Sequence, residues 1–469
     1  SAVALGEEER RVIQQRADAG EGLLATWVPG SIDPPAGVAP GRFVEEAFGV
    51  RTRPRAADER GFLVTVGDTP ITHALAAGTR LWVGRDARFA TPVLDAPGAG
   101  YLSDWGRGSD GSGLVAYTAK GASRRALLAW PETAWEGHMA EYTRLAEMAL
   151  DWVEGGAIAY ARGWPHPYRG AVTVGVDALW RFENLPRFGE ALTRHGAHGS
   201  FHFLPADVSA NANAIRDLMK ASHGIGGFGD VARPFAGQSE AEQRARVERM
   251  GAGFRTALGR DFVLGGLRAP QGATDAATER AAATLDYVVD IGRVDAATPV
   301  AAANRRLVML SAATNLDGRT PPEALRSGLA AALLRARSLG GYAFVGVDLA
   351  GFLPESALQL ELESFLATAA KEGTLWLASA TEVARWWRTR ADVMVASTWD
   401  AKDALLTIDV RSAAPMAQPV AIAIASPPGR PRALLEFGGA QLVESPEGAV
   451  LVVRELAAGE RRLRLRFVP

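Results

Sequence analysis

The sequence predicts an α/β protein of several domains, closed by a small all-β domain. Three observations carry that prediction. Short apolar runs alternate with helix-patterned segments through most of the chain, which implies a parallel sheet wrapped by helices. From residue 393 the helical spacing stops, and short strands divided by Pro- and Gly-rich turns take over. The length, 469 residues, also exceeds what one hydrophobic core usually holds.

The first segment, 1–133, reads as α/β. "GEEERRVIQQRADAGEG" places three glutamates at a helix start, where the helix dipole favours negative charge, and ends at Gly20 and Gly22. "LLATWV", "GFLVTVG" (61–67), "TRLWVG" (79–84) and "SRRALLAWP" (123–131) are apolar strands, and Pro131 stops the last. "SDWGRGSDGSG" (103–113) is polar and glycine-rich, the pattern of an exposed loop. "AWEGHMAEYTRLAEMALDWVEGG" (134–156) has helical spacing and reads as a connecting helix.

The second segment, 157–392, alternates strand and helix. "AVTVGVD" (171–177) is a strand ending in a carboxylate. "GSFHFLP" (199–205), "FVLGGLRAP" (262–270), "DYVVDIG", "RLVML" and "YAFVGVD" are further strands. Helices fall at 185–196, 211–222, 239–258 and 274–285, and the third carries a Ser239/Glu242 capping box. "ALRSGLAAALLRARSLG" and "ESALQLELESFLATAAKE" follow as helices, before the closing "TLWLASATEVARWWRTR". In 393–469, "ALLTIDVRS", "PVAIAIAS", "AVLVVREL" and "RRLRLRFV" predict a small antiparallel sandwich.

Composition removes several function classes. The net charge is −2 with both signs dispersed, so there is no electrostatic footprint for nucleic acid. There is no cysteine, which excludes disulfides, thiolate metal sites and a cysteine nucleophile. No apolar run approaches the roughly 18 residues of a membrane span. The chain begins at Ser1 without a signal peptide, as a processed or trimmed product would.

"HGIGGFGDVA" carries glycines at 224, 226 and 229, matching a dinucleotide-binding fingerprint. Such a loop follows a strand and opens a helix at its third glycine. Here a helix-patterned segment precedes it, and Pro234 delays the next helix to Ser239. The flanks reject a nucleotide site, and the glycines read as a turn.

In order, "AVTVGVDALW", "GSFHFL", "SHGIGGFGDVA", "LRAPQG" and "WLASATEVARWWRTR" resemble the five motifs of the polysaccharide deacetylase family. The resemblance implies a distorted (β/α) barrel over 157–392. It also implies metal-assisted hydrolysis of an acetyl amide or ester. In that chemistry one carboxylate and two imidazoles hold the ion, a second carboxylate is the base, and a further histidine protonates the leaving group.

Carried over residue by residue, the resemblance makes Asp177 the base and Arg268 its partner, a buried bidentate pair. The metal carboxylate position holds Ala178, and its variant position holds Leu179. The two imidazole positions hold Phe228 and Ala232. The acid histidine is missing, and Asp348 is the nearest polar residue. No cofactor is therefore expected. Zinc enters only if Asp177, His202 and His223 assemble a relocated site.

An eroded barrel of this kind keeps a groove for polysaccharide, which Trp180, Arg181, His202, His223, Phe228, Gln271 and Asp348 are candidates to line. The expected function is a deacetylase-like protein without catalysis that binds or scaffolds extracellular polysaccharide. The alternatives are an active deacetylase with a rearranged metal site, and a structural subunit that meets other proteins through its terminal domains. The resemblance further implies an exported, periplasmic or extracellular protein. Residues 1–133 resemble a partial glutamine-amidotransferase-like, flavodoxin-like domain, whose activity the absent cysteine excludes.

Overall fold

The structure, a computed structural model, describes residues 5–27, 29, 42–53, 61–65, 69–75, 79–83, 93–94, 100–103, 113–130, 137–290, 298–302, 306–337, 340–445 and 448–468. The chain divides into two compact units. One joins the N-terminal part, through His166, to Thr389–Pro469; the other is Pro167–Arg388.

The first unit opens with a helix, Glu7–Asp18, led by its three glutamates. Its larger sheet runs in the order Leu23–Thr26, Ser123–Leu128, Gly113–Lys120, Gly100–Ser103, Gly61–Thr65, Arg80–Val83. Only the first two strands pair in parallel. The remaining ladders are antiparallel. This corrects the flavodoxin-like expectation, which needs a parallel sheet with crossovers. The local cause is visible at Gly121 and Ala122. They join two strands in a tight turn, with Gly121 at φ 62°, and a turn that short makes its strands antiparallel. The interior of the expected loop at 103–113 lies outside the described residues.

The helix Met139–Val153 buries Tyr142, Leu145, Met148, Ala149 and Trp152 on one stripe. They share a core with Leu114, Leu128, Trp130 and Ile158. The strand Ile158–Ala161, at the start of the 157–392 segment expected to form the barrel, instead pairs antiparallel with Val420–Ala425. It thereby completes one of two four-stranded antiparallel sheets, the other being Val393–Asp400, Leu405–Ser412, Gly459–Val468 and Arg432–Phe437. Leu463, Leu465 and Phe467 are buried while Arg462, Arg464 and Arg466 between them are exposed, the period-2 pattern of a half-buried sheet.

The second unit is a closed barrel. Its strands are β1 (Gly170–Asp177), β2 (Ser200–Phe203), β3 (Gly224–Gly227), β4 (Gly266–Arg268), β5 (Tyr287–Asp290), β6 (Val308–Leu316), β7 (Tyr342–Asp348) and β8 (Leu375–Leu377). The helices are α1 (Leu185–Arg194), α2 (Ala212–Lys220), α3 (Glu240–Leu258), α4 (Ala276–Ala281), α5 (Pro322–Arg337), α6 (Ala357–Glu372) and α7 (Ala380–Arg390). β2 through β7 pair in sequence, β7 pairs β1, and β1 returns to β2, so seven parallel strands make a ring. β8 adds parallel to the start of β1. The strands read as continuous apolar runs because barrel interior and helical layer bury both of their faces.

The glycine stretch is not a turn. Gly224–Gly227 is β3 itself, between β2 and β4. A Cβ on Gly226 would lie 2.7 Å from both the His202 ring and the Tyr287 hydroxyl, so only glycine lets those two side chains fill the interior. The segment after β3 is held from α3. The buried Arg246 donates from Nε to Asp230 (2.7 Å), from Nη1 to the Pro234 carbonyl (2.6 Å) and from Nη2 to the Arg233 carbonyl (2.8 Å). It also lies 4.0 Å over the Phe235 ring.

Arg246→Met leaves Asp230 with Arg249 alone, removes the donors to the Pro234 and Arg233 carbonyls, and is expected to destabilise the protein by about 3 kcal/mol in urea denaturation. Arg249→Met removes a solvent-exposed partner of the same carboxylate (2.8 Å). That loss should stay below about 1 kcal/mol.

Candidate functional site

Parallel register builds the site. The last residue of β1, Asp177, is the register partner of His202 on β2 and of Asp348 on β7. Three polar side chains therefore stand in one row near the C-terminal end of the strands, where barrel enzymes carry their chemistry. Arg268 closes β4 and reaches the same end, in ion-pair contact through Nε with Asp177 Oδ1. Nη2 donates to Asn315 Oδ1 on β6 at 2.7 Å. The expected pair is thus present through one arm and is not bidentate; the fork is shared between a carboxylate and an amide. Arg268 is 4% exposed, and its Nη1 has no hydrogen-bond partner among the described residues.

A cavity of about 290 Å³ opens here, lined by Asp177, Trp180, Arg268, Asn315, Asp317 and Asp348 among others. Trp180 is 70% exposed at its side, an open aromatic face beside polar groups. Asp348 Oδ1 accepts from the Ala350 N–H at 3.0 Å and has no cationic partner among the described residues. Asp317 Oδ1 accepts from the Arg319 N–H (2.8 Å) and the Thr320 hydroxyl (3.0 Å). The Arg319 N–H, ahead of the Thr320 bonds, holds the Asp317 carboxyl below its ordinary range despite some burial. Burial raises the Asp177 carboxyl and the Asp348 charge adds to it; together they outweigh the stabilisation from Arg268.

The other expected residues stand elsewhere. His202 does not line the cavity; it is fully buried, with Nε2 3.0 Å from the Tyr287 hydroxyl. His223 accepts from the Gly199 N–H at 3.1 Å and faces a separate groove between α1 and α2, with Pro186, Gly189, Thr193 and Leu218. Asp177, His202 and His223 therefore do not assemble a relocated metal site. Phe228 is buried, and Ala178 is buried at the end of β1. Arg181 and Gln271 are exposed in left-handed conformations (φ 55° and 58°), and neither lines the cavity. Asn315 and Asp317 are lining residues that sequence reasoning passed over. Their signal was polar residues ending an apolar strand, in "VMLSAATNLD".

A divalent ion does not fit these donors. The positions that the resemblance would make its ligands, Ala178, Phe228 and Ala232, carry two methyl groups and a phenyl ring. Among the described residues no group of three or more histidines, aspartates or glutamates stands in a metal-holding arrangement.

Residues 167–289 match the family model for polysaccharide deacetylase, and the chain carries a domain of that family. Similar solved structures include a Mycobacterium smegmatis protein described as a polysaccharide deacetylase. It is 17% identical, with 49% of this chain and 94% of that one covered, at a TM-score of 0.42. Another is a family 4 carbohydrate esterase pseudoenzyme from Bacillus anthracis, 16% identical over 47% of this chain and 66% of its own, at a TM-score of 0.34. A third is a family 4 carbohydrate esterase from Streptomyces lividans solved with acetate, 13% identical over 45% and 92%, at a TM-score of 0.31. No curated protein is a significant match. The amidotransferase-like resemblance of the N-terminal segment finds no counterpart among these.

Burial pushes the His202 imidazole down to about 3, with the Arg268 charge adding to it; burial pushes His223 down to about 4. The unfolded chain takes up protons at these residues from about pH 6.5 downward, and the folded chain resists until pH is far lower. Their stabilising effect is complete above pH 6.5 and is lost as pH falls toward 4. Each contributes a slope of about 1.4 kcal/mol per pH unit in that window. Denaturation midpoints measured from pH 7 to 4 should fall less steeply in His202→Gln.

Proposed function

We propose that the barrel is a metal-independent polysaccharide-binding domain of deacetylase descent, with no acetyl-hydrolase activity. One observation carries this reading. The cavity at the strand ends keeps an exposed indole and a polar floor, while every position that would ligate the ion lacks a donor atom. Aromatic faces stack on the apolar faces of sugar rings, and carboxylate, amide and guanidinium groups bond their hydroxyls. Asp177 then serves to orient Arg268 and receive a hydroxyl; without a polarised carbonyl or activated water it has nothing to deprotonate. The family supports a polysaccharide as ligand, and a setting outside the cytoplasm follows from that ligand. No helix among the described residues is long and apolar enough to cross a membrane.

Two measurements test this. Titration calorimetry of the full chain with polysaccharide fragments should show binding that Trp180→Ala weakens by about tenfold, the scale of one lost aromatic contact. Acetate release from N-acetylated oligosaccharide, with and without added zinc, should stay at the level of Asp177→Ala. Zinc-dependent acetate release that Asp177→Ala abolishes would establish the active alternative instead.

A further inference from the structure

The charges around the cavity are unbalanced in a way that bears on its ligand. Three carboxylates line it, from Asp177, Asp317 and Asp348, against one guanidinium. Arg268 is taken up by Asp177, which leaves Asp348 and Asp317 without an ion-pair contact among the described residues; only the Arg319 charge, from beyond ion-pair distance, bears on Asp317. Asp348 sits beside Asp177 in strand register, so its negative charge belongs to the floor of the site. A neutral sugar would bury this excess without compensation, and an acidic sugar would meet repulsion. A second, independent feature asks for an oxygen. Arg268 lines the cavity, is 4% exposed, and has a buried Nη1 with donor capacity unspent. The ligand that meets both demands carries a cation for Asp348 and Asp317 and an oxygen acceptor for Arg268. Its flat apolar face also suits Trp180. The volume, about 290 Å³, suits one sugar residue of a chain.

Resting on the polysaccharide-binding reading, we infer that the site selects a cationic amino sugar: a hexosamine residue with a free ammonium group, in a de-N-acetylated polysaccharide. The ammonium lies against Asp348 and Asp317, and a ring hydroxyl or the glycosidic oxygen accepts from Arg268. The site thus recognises the product of amide hydrolysis and discriminates against the acetylated chain. An acetyl group would remove the charge and leave the carboxylates unpaired.

The test is calorimetry of the full chain at low salt with three probes: a glucosamine hexamer, the matching N-acetylglucosamine hexamer, and hexalysine. The glucosamine hexamer should bind tightest, by about tenfold over the acetylated form, the scale of one charge-assisted contact. Asp348→Asn should erase most of that preference. Asp317→Asn, at an exposed position, should reduce it as well and serves if the first variant unfolds. Equal binding of both hexamers would overturn this inference and leave the polysaccharide reading standing. Binding of neither would overturn both. Hexalysine bound as tightly as the glucosamine hexamer would overturn the sugar selectivity, leaving charge alone.

Discussion

The guanidinium of Arg268 is the interaction on which the rest of the site depends. It ends β4, contacts the carboxylate that ends β1, and bonds the Asn315 amide on β6. Three barrel strands are thereby tied at one end through a single buried group. The interior is shaped around it. Gly346 on β7 has no side chain because a Cβ there would collide with the Asn315 amide and sit 2.7 Å from Arg268 Nη2. The Phe344 ring stands 5.4 Å from the guanidinium carbon. Removing the arginine would leave the half-buried Asp177 carboxylate without its cation, a cost that does not depend on catalysis.

The barrel interior is filled by side chains. His202 and Tyr287 meet across the interior, and Gly226 gives them space. Phe228 is buried beyond β3, and Arg246 pins the next turns to α3. The segment after β3 is fixed by an ion pair and by hydrogen bonds to backbone carbonyls. This end of the barrel is thus organised by hydrogen bonds and ion pairs among the described residues.

Much of the barrel was legible because its signals are local. Alternating apolar strands and capped helices placed most elements, and Ser239 with Glu242 fixes the start of α3 as a capping box does. The Asp177–Arg268 contact was legible only through motif order, since the two residues lie far apart in sequence. Three features were hidden. The glycine stretch read as a turn because a strand of glycines has no periodicity; its cause is the size of His202 and Tyr287 across the interior. The N-terminal sheet read as parallel because the two-residue turn at Gly121 and Ala122 leaves little trace beside strong strand patterning. His223 read as a site residue because it borders the loop, but α1 and α2 turn it toward a different groove. Asn315 and Asp317 depend on how far β6 extends, and strand ends are where patterning is weakest.

The central claim is that this site holds a sugar and no metal ion. The most direct measurement is X-ray diffraction from crystals soaked with both zinc and a glucosamine oligomer, with data collected at the zinc absorption edge. The account predicts sugar density against Trp180 and Arg268, with no anomalous peak near Asp177. An anomalous peak coordinated by the Asp177 carboxylate would contradict it.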